Sequence, residues 1–375
     1  MNRTYIIAEI GTSHAGSLEK AYQLIDAAVF AGADCVKFQW VYADEILHPD
    51  TGTVNLPTGA VRLYDRFLSL EVPSSFFKKV CQYAHSKGVA FACSPFGIRS
   101  LRQLWKLRPD AIKIASPELN HFPMLEELLR LECKSGGKNR IPVILSSGVS
   151  ELEDIEKTLK FLSPLQDFDS VEVPLPQISL LHCVTSYPAP ETDYNLSVLN
   201  FLREHFSIDV GVSDHSLDPV LVPSIAAAIG GRIIEKHITL SRETDGLDDP
   251  VALTPEDFAV MVQKVHKVDS LEPQERMVYL TREFDNVKVN AILGDGQKKL
   301  AASEAANYKR TNRSIHYLKS LKSGTKLRAK DIAVLRTEKV LTPGISPEFF
   351  KQIPGRRLKV DVSAGAGLLW EDLEG

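Results

Sequence analysis

The chain has 375 residues, of which 44% are hydrophobic and 25% charged, a composition typical of a globular protein with one large and one small domain or two medium ones. A formal net charge of −4 argues against nucleic acid as a partner, and no apolar run approaches the roughly 20 residues that cross a bilayer. The N-terminal residues bring in charge too early for a secretory signal, so the sequence predicts a cytoplasmic protein.

From the N-terminus to about residue 270, short β-branched apolar runs alternate with segments of helical period. Eight such runs predict strands at Tyr5–Ile10, Asp34–Gln39, Val89–Cys93, Ala111–Ala115, Pro142–Ser146, Ser179–Val184, Ile208–Val212 and Ile233–Ile238. The segments between them favour helices, because apolar residues recur there three and four positions apart. Eight strands that alternate with helices over this length predict an α/β fold, the (β/α)8 or TIM barrel.

Three further segments complete the organisation of the chain. The connection between Trp40 and Pro73 is long and has little periodicity, and we expect it to form a loop over the substrate pocket. Residues 271–311 are charged and predict a linker. Residues 312–375 contain short apolar runs separated by glycines and predict a small domain that leans on the barrel or on another chain, because so few residues fold alone only marginally. The predicted barrel domain is therefore 1–270.

Polar side chains collect where the predicted strands end. These residues are Glu9, Lys37, Gln39, Ser94, Lys113, Ser116, Glu118, Ser146, Ser147, His182, Thr185, Tyr187, Ser213, Asp214, His215, Glu235 and His237. Active sites of (β/α)8 barrels lie at the C-terminal ends of the strands. Polar residues at all eight ends therefore predict an active site at that face.

Two lysines and four serines in this set favour an anionic ligand. Lys37 and Lys113 would supply cations, and Ser94, Ser116, Ser146 and Ser213 would supply hydroxyl donors for a phosphate or carboxylate. The alternative is that the serines cap the helices that follow. The sequence contains neither a GxGxxG nor a Walker motif, which argues against a nucleotide loop.

The last predicted strand places Glu235 and His237 on one face, with His215 at the end of the preceding strand. Two histidines on adjacent strands, completed by Glu9 or water, suit Mn²⁺, Mg²⁺ or Co²⁺ better than structural zinc. The alternative for each histidine is a hydrogen-bonded core residue. Glu118 and Glu235 are candidates for general acid–base catalysis. Asp248 lies in the loop after the last strand, where a solvated turn aspartate is the alternative.

Seven motifs lie at or beside the strand ends: Ile7-Ala-Glu-Ile-Gly-Thr-Ser-His-Ala-Gly16, Val36-Lys-Phe-Gln39, Cys93-Ser-Pro-Phe96, Ile112-Lys-Ile-Ala-Ser-Pro-Glu118, Leu181-His-Cys183 with Tyr187-Pro188, Gly211-Val-Ser-Asp-His215-Ser-Leu and Glu235-Lys-His237. They closely resemble the motifs of the N-acetylneuraminate (sialic acid) synthase family. The chain from about Arg313 resembles that family's antifreeze-protein-like (SAF) domain, a small β-clip fold.

The resemblance implies condensation of phosphoenolpyruvate with the open-chain aldehyde of an N-acyl-mannosamine-type sugar, which gives phosphate and a nine-carbon 2-keto acid. It implies a divalent ion, usually Mn²⁺, held by His215 and His237, and Glu118 as proton carrier. Phosphoenolpyruvate contacts would fall on Lys37, Ser94, Lys113, Ser116, Ser146, Thr185 and Ser213, and contacts with the sugar or metal-bound water on Glu9, Gln39, Tyr187, Glu235, Asp248 and Arg336. It also implies a homodimer in which the small domain of one chain covers the partner's barrel and contributes an arginine, here Arg336.

The chain departs from the family pattern at three places. Thr185 stands where members often have Asn, and Arg336 is separated from Pro343-Gly344 by an apparent insertion. The loop at residues 245–253 also differs, so the sugar could be a legionaminic or pseudaminic acid precursor. Three alternatives stay open: another phosphoenolpyruvate–aldose synthase, an aldolase that forms a Schiff base on Lys113, and a non-catalytic sugar-binding protein.

Overall fold

The computed structural model describes residues 3–56, 59–136, 140–163, 177–244, 246–338 and 340–374. Its strands are β1 (Tyr5–Gly11), β2 (Cys35–Trp40), β3 (Thr53–Leu56), β4 (Gly59–Arg62), β5 (Ala90–Pro95), β6 (Ala111–Ile114), β7 (Val143–Ser146), β8 (Ile178–Cys183), β9 (Asp209–Asp214), β10 (Ile233–His237), β11 (Arg313–Tyr317) and β12 (Ile332–Arg336). Strands β1, β2 and β5 to β10 form a closed parallel barrel in which β10 pairs with β1. The predicted TIM barrel is confirmed.

Helices follow the barrel strands and surround them. They are α1 (Leu18–Phe30), α2 (Ala43–Ile46), α3 (Leu63–Leu68), α4 (Ser74–Ser86), α5 (Ile98–Leu107), α6 (Phe122–Ser135), α7 (Leu152–Leu162), α8 (Val198–Phe206), α9 (Leu221–Ala228), α10 (Pro255–Asp269), α11 (Pro273–Glu283) and α12 (Asn286–Leu293). No helix in the described part of the chain is both long enough and apolar enough to span a membrane.

Alternation along each strand separates the barrel's outer core from its interior. On β1, Ile6 and Ala8 are buried against the helices, whereas Ile7 faces inward and belongs to a small cluster inside the barrel. Glu9 lies two residues beyond Ile7 on the same face, closer to the C-terminal end of the strand. The inward faces of the strands thus change from apolar to polar towards the end where the predicted site residues lie.

The long connection after β2 is more structured than its sequence suggests. It contains α2, the β3–β4 hairpin and α3, and an apolar cluster of its own that includes Val41, Ile46, Leu63 and Leu70. Short elements of four to six residues carry too little periodicity to be detected from sequence.

Residues 271–311, predicted as a linker, contain α11 and α12 and a 3₁₀ turn at Ala305–Asn307. Leu280, Val289 and Ile292 from these helices are part of the barrel's main core. The C-terminal module that follows is built on the antiparallel pair β11–β12 and has a separate core that includes Ile315.

Candidate active site

A cavity of about 190 Å³ lies at the C-terminal ends of the barrel strands. The residues predicted to have a catalytic, substrate-binding or metal-binding role line it, except Glu118: Glu9, Lys37, Gln39, Ser94, Lys113, Ser116, Ser146, Thr185, Tyr187, Ser213, His215, Glu235, His237, Asp248 and Arg336. Ser147, His182 and Asp214, which also lie at strand ends, do not line it. The structure thus brings together residues from all eight barrel strands or the loops that follow them.

Two buried lysines and two buried carboxylates form the charged floor of the cavity. Lys37 Nζ lies 2.7 Å from Glu9 Oε2 and 3.7 Å from Glu235 Oε2, and Lys113 Nζ lies 3.9 Å from Glu235 Oε1. Burial opposes the charge of Lys37, but Glu235 and Glu9 outweigh it and raise the pKa of Lys37. Burial lowers the pKa of Lys113, since its carboxylate contact is longer. An anionic ligand beside Lys113 would therefore favour its charged form.

Hydroxyl groups surround these lysines. Lys113 Nζ donates to Ser146 Oγ at 2.6 Å and Lys37 Nζ to Ser94 Oγ at 3.3 Å, while Ser213 Oγ donates to Glu235 Oε1 at 2.9 Å. The helix-capping alternative is wrong for these three serines, because α5, α7 and α9 begin after Gly97, Glu151 and Val220.

On the far side of the cavity from Glu9, the exits of β7 and β8 approach each other closely. The backbone N–H of Gly148 donates to Ser116 Oγ at 3.0 Å, and a Cβ at Gly148 would overlap Thr185 Oγ1 and lie 3.2 Å from Cys183 Sγ. Thr185 is 8% exposed, and its hydroxyl has no hydrogen-bond partner among the described residues. This hydroxyl is therefore available to a ligand in the cavity.

His215 and His237 lie with ring centroids 5.6 Å apart, both buried. His215 Nδ1 is 2.8 Å from the carbonyl oxygen of Val184, which only an N–H can satisfy, so in the neutral ring the lone pair is on Nε2. Burial opposes the charged form of His215, but nearby Cys183 raises its pKa to about 9. Burial lowers the pKa of His237, whose Nδ1 lies 4.0 Å from Asp248 Oδ2.

These two histidines fit the sparse metal site that the sequence predicts. Within the described ranges, no group of three or more His, Cys, Asp or Glu side chains is arranged to hold an ion. A two-histidine set leaves most coordination positions to water or substrate oxygens, as a Lewis-acid site requires. The Val184 carbonyl fixes the tautomer of His215 that such a ligand needs.

Lys236 holds the loop that carries His215. It points away from the cavity, is fully buried, and its Nζ lies 2.6 Å from Asp214 Oδ2 and 2.6 Å from the carbonyl oxygen of Ser216. A third contact reaches the carbonyl oxygen of Asp218 at 3.3 Å. The ammonium therefore binds the chain on both sides of His215. Sequence reasoning missed this role, although Lys236 lies inside a motif that it identified.

Two arginines of the C-terminal module form ion pairs with Glu118. This residue was predicted to lie in the active site but does not line the cavity. Arg313 Nη2 and Arg336 Nη2 donate to Glu118 Oε1 at 2.9 and 2.8 Å, and the carboxylate is fully buried. A 3₁₀ turn at Ser116–Glu118 follows β6, and in it Ser116 and Pro117 line the cavity whereas Glu118 does not. Arg313, which the sequence reasoning did not select, also donates to the Phe96 carbonyl oxygen at 2.6 Å. Arg336 lines the cavity of its own chain.

An apolar wall completes the cavity. The sequence predicted only that the connection between Trp40 and Pro73 lies over the pocket, and it identified no individual apolar residue of the wall. Val41, Phe67 and Leu70 come from the connection after β2, Phe96 follows β5, and Leu247 follows β10. All five belong to or pack against the separate apolar cluster of that connection. The expectation that this loop lies over the pocket is confirmed for the residues described.

Comparisons with known proteins cover both parts of the chain. Residues 24–276 match the NeuB family and residues 312–374 the SAF domain. N,N'-diacetyllegionaminic acid synthase of Legionella pneumophila is 30% identical over 99% of this chain and 94% of its own. The crystal structure of spore coat polysaccharide biosynthesis protein SpsE from Bacillus subtilis is 30% identical with a TM-score of 0.79, covering 100% of this chain and 96% of that one. That of N-acetylneuraminic acid (sialic acid) synthetase from Leptospira borgpetersenii is 27% identical with a TM-score of 0.60, covering 82% and 90%.

Proposed function

The chain belongs to the NeuB family, and on that premise we propose that it is a transferase that condenses phosphoenolpyruvate with an N-acyl-mannosamine-type sugar. The products are phosphate and a nine-carbon 2-keto acid, sialic acid or a relative. The observation that carries the proposal is that Lys37, Lys113 and the surrounding hydroxyls line the same cavity as His215 and His237. An anion site beside a metal-competent histidine pair is what this reaction needs.

Phosphoenolpyruvate would bind on the floor of the cavity. Lys37 and Lys113 supply the cations, and the hydroxyl groups of the seven-residue set predicted for this ligand surround them. Glu9 and Glu235 already neutralise part of the lysine charge. When the cavity holds no anion, these carboxylates compensate the buried ammonium groups. When an anion binds, the remaining positive charge attracts it.

His215 and His237 would hold the divalent ion, which we propose to be Mn²⁺, with Mg²⁺ or Co²⁺ as alternatives. When bound, the ion would polarise the aldehyde of the sugar. The Val184 carbonyl and the Tyr194 hydroxyl fix the ring and the backbone of His215, at 2.8 and 2.6 Å. The histidine pair thus needs little rearrangement to bind.

The sugar would lie between the histidines and the apolar wall. Gln39, Tyr187, Glu235, Asp248 and Arg336 offer hydrogen bonds to its hydroxyl and amide groups. The apolar wall offers contact to methyl groups of its acyl substituents, since a buried hydroxyl there would lose its hydrogen bonds to water.

In the reaction, C3 of phosphoenolpyruvate forms a bond to the aldehyde carbon, and the aldehyde oxygen takes up a proton. Water then adds at C2 and loses a proton, and the tetrahedral intermediate expels phosphate to leave the 2-keto acid. Glu9 lines the cavity and can exchange protons with bound water. Glu118, predicted as the proton carrier for the final collapse, does not line the cavity in this structure; it would act there only by positioning Arg336, which donates to its carboxylate.

Phosphate release from phosphoenolpyruvate tests this proposal. We expect release with N-acetylmannosamine or with a 2,4-diacylamino hexose, and none without the sugar. The competing Schiff-base aldolase gains support from the lowered pKa of Lys113, and it predicts that borohydride with pyruvate inactivates the protein covalently. Such trapping, without phosphate release for any sugar of the panel, would overturn the synthase.

We also propose a cytoplasmic location and a homodimer. In that dimer the C-terminal module of each chain covers the barrel of its partner. Arg336 contacts the cavity of its own chain in this structure, so the exchange is testable by mixing. Lys37→Met and Arg336→Ala chains should each be inactive alone. Activity after the two are unfolded and refolded together would support exchange, because one cavity then regains both residues. A mixture as inactive as its components would contradict it.

A further inference from the structure

Glu304 lies in the segment between α12 and β11, outside the cavity, and connects to the exits of two barrel strands. We propose that Glu304 is a positioning residue for the phosphoenolpyruvate side of the site. The inference rests on the proposed function, since it assigns the ligand of that side to phosphoenolpyruvate.

The Glu304 carboxylate is 1% exposed and accepts backbone N–H groups from two different strand exits. Its Oε2 accepts from Val149, after β7, at 2.8 Å and from Thr185, after β8, at 2.7 Å. Its Oε1 accepts from Ala301 at 3.3 Å in its own segment. One oxygen thus fixes the spacing between two loops that no regular sheet pairing controls at this point.

Val149 shows that this arrangement holds the backbone in an unfavourable conformation. Its φ is +45°, in the left-handed region that β-branched residues rarely adopt because it is strained for them. The same segment binds this residue on both sides, because Val149 N–H donates to Glu304 and Val149 C=O accepts from Asn312 Nδ2 at 2.9 Å. The hydrogen bonds from Val149 to Glu304 and Asn312, which lie outside the barrel strands, hold the backbone in this strained conformation.

The consequence falls on the neighbouring residues of the cavity. Gly148 precedes Val149 and approaches Thr185 so closely that no Cβ would fit. Thr185 is held by Glu304 at its N–H and by Asn307 Nδ2 at its carbonyl oxygen, at 3.1 Å. Its buried hydroxyl, without a partner among the described residues, is thereby aimed at the cavity.

A glutamine at position 304 separates positioning from simple packing, because it keeps the size of the side chain. Three N–H groups point at the two carboxylate oxygens. An amide has one acceptor oxygen, so its NH₂ group would face at least one of these donors. The expected response is a shift of Thr185 and Gly148 and not the loss of the fold.

The experiment measures steady-state kinetics of the wild type, Glu304→Gln and the control Asp295→Asn. Asp295 also accepts a backbone N–H, from Gln297 at 3.0 Å, but it is exposed. We expect Glu304→Gln to raise KM for phosphoenolpyruvate at least tenfold and to change KM for the sugar less than twofold. Asp295→Asn should change neither. Calorimetric titration of each protein with phosphoenolpyruvate alone should reproduce the loss.

Asn307→Ala provides a second, milder variant, since it removes only the bond to the Thr185 carbonyl oxygen. We expect a rise of about threefold in KM for phosphoenolpyruvate. Unchanged phosphoenolpyruvate affinity in Glu304→Gln, or equal loss for both substrates together with a lower melting temperature, would overturn the positioning role. A wild type that does not bind phosphoenolpyruvate would instead overturn the proposed function, and the inference with it.

Discussion

Substitution of Lys236 by methionine tests whether the buried ammonium behind His215 stabilises the barrel. Lys236 and Asp214 are both fully shielded from solvent, with Nζ 2.6 Å from Oδ2. Methionine keeps most of the volume but leaves the Asp214 carboxylate buried without its cation. Removal of one partner from a buried ion pair costs about 3–5 kcal/mol. Lys264→Met is the control, because its pair with Glu283 is nearer the surface and is worth about 0–1 kcal/mol.

Urea unfolding followed by circular dichroism measures the difference between these variants. We expect Lys236→Met to be less stable than Lys264→Met by roughly 3 kcal/mol. Adding Asp214→Asn should restore part of the loss, since the unpaired charge is then gone while Oδ1 can still accept from Ser216 N–H. Equal midpoints for the two lysine variants, or no recovery in the double variant, would refute the reasoning.

Three other predictions concern the metal, the ion pairs of Glu127 on α6 and a glycine. EDTA should abolish phosphate release and Mn²⁺ should restore it, and His215→Ala should bind Mn²⁺ far more weakly by calorimetry; full activity in chelator would contradict the metal assignment. The hydrogen bond from Arg130 is the largest cause that lowers the pKa of Glu127 from 4.5 to about 2. The contribution of this carboxylate to the free energy of unfolding is therefore present above pH 4.5 and is lost as the pH falls towards 2. Acid unfolding of Glu127→Gln should therefore be less steep in that range than that of the wild type. Gly148→Ala, whose Cβ would overlap Thr185 Oγ1, should weaken phosphoenolpyruvate binding at least tenfold by titration, and an unchanged affinity would show that the loop adapts.

The barrel and most of the cavity were predictable because both follow from local patterns. Parallel strands end at one face, so polar residues such as Lys113 and Ser146 at strand ends had to meet once the fold was known. Glu118 differs because a 3₁₀ turn follows β6 at that point, and a single turn leaves no periodic signal in the sequence.

Contacts that depend on register or on distant segments were not predictable. Lys236 alternates away from Glu235 and His237, towards helices where an apolar residue is expected, and its partner Asp214 is its register neighbour on β9. Glu304 lies 155 residues from Val149 and 119 from Thr185, in a segment without periodicity. No pattern along the chain reveals such pairs, since only the folded barrel brings them together.

The closure of the barrel by β1 and β10 also bears on how the chain is made. Glu9 pairs in register with His237 on one side and with Lys37 on the other. A ribosome that adds about 5–20 residues per second therefore exposes one edge of β1 for on the order of ten seconds or more before its second neighbour emerges. During that interval the nascent chain has an open sheet edge, and pairing across so long a separation is slow. Nascent chains that contain β1 and β2 but not yet β10 should be the ones that need a chaperone.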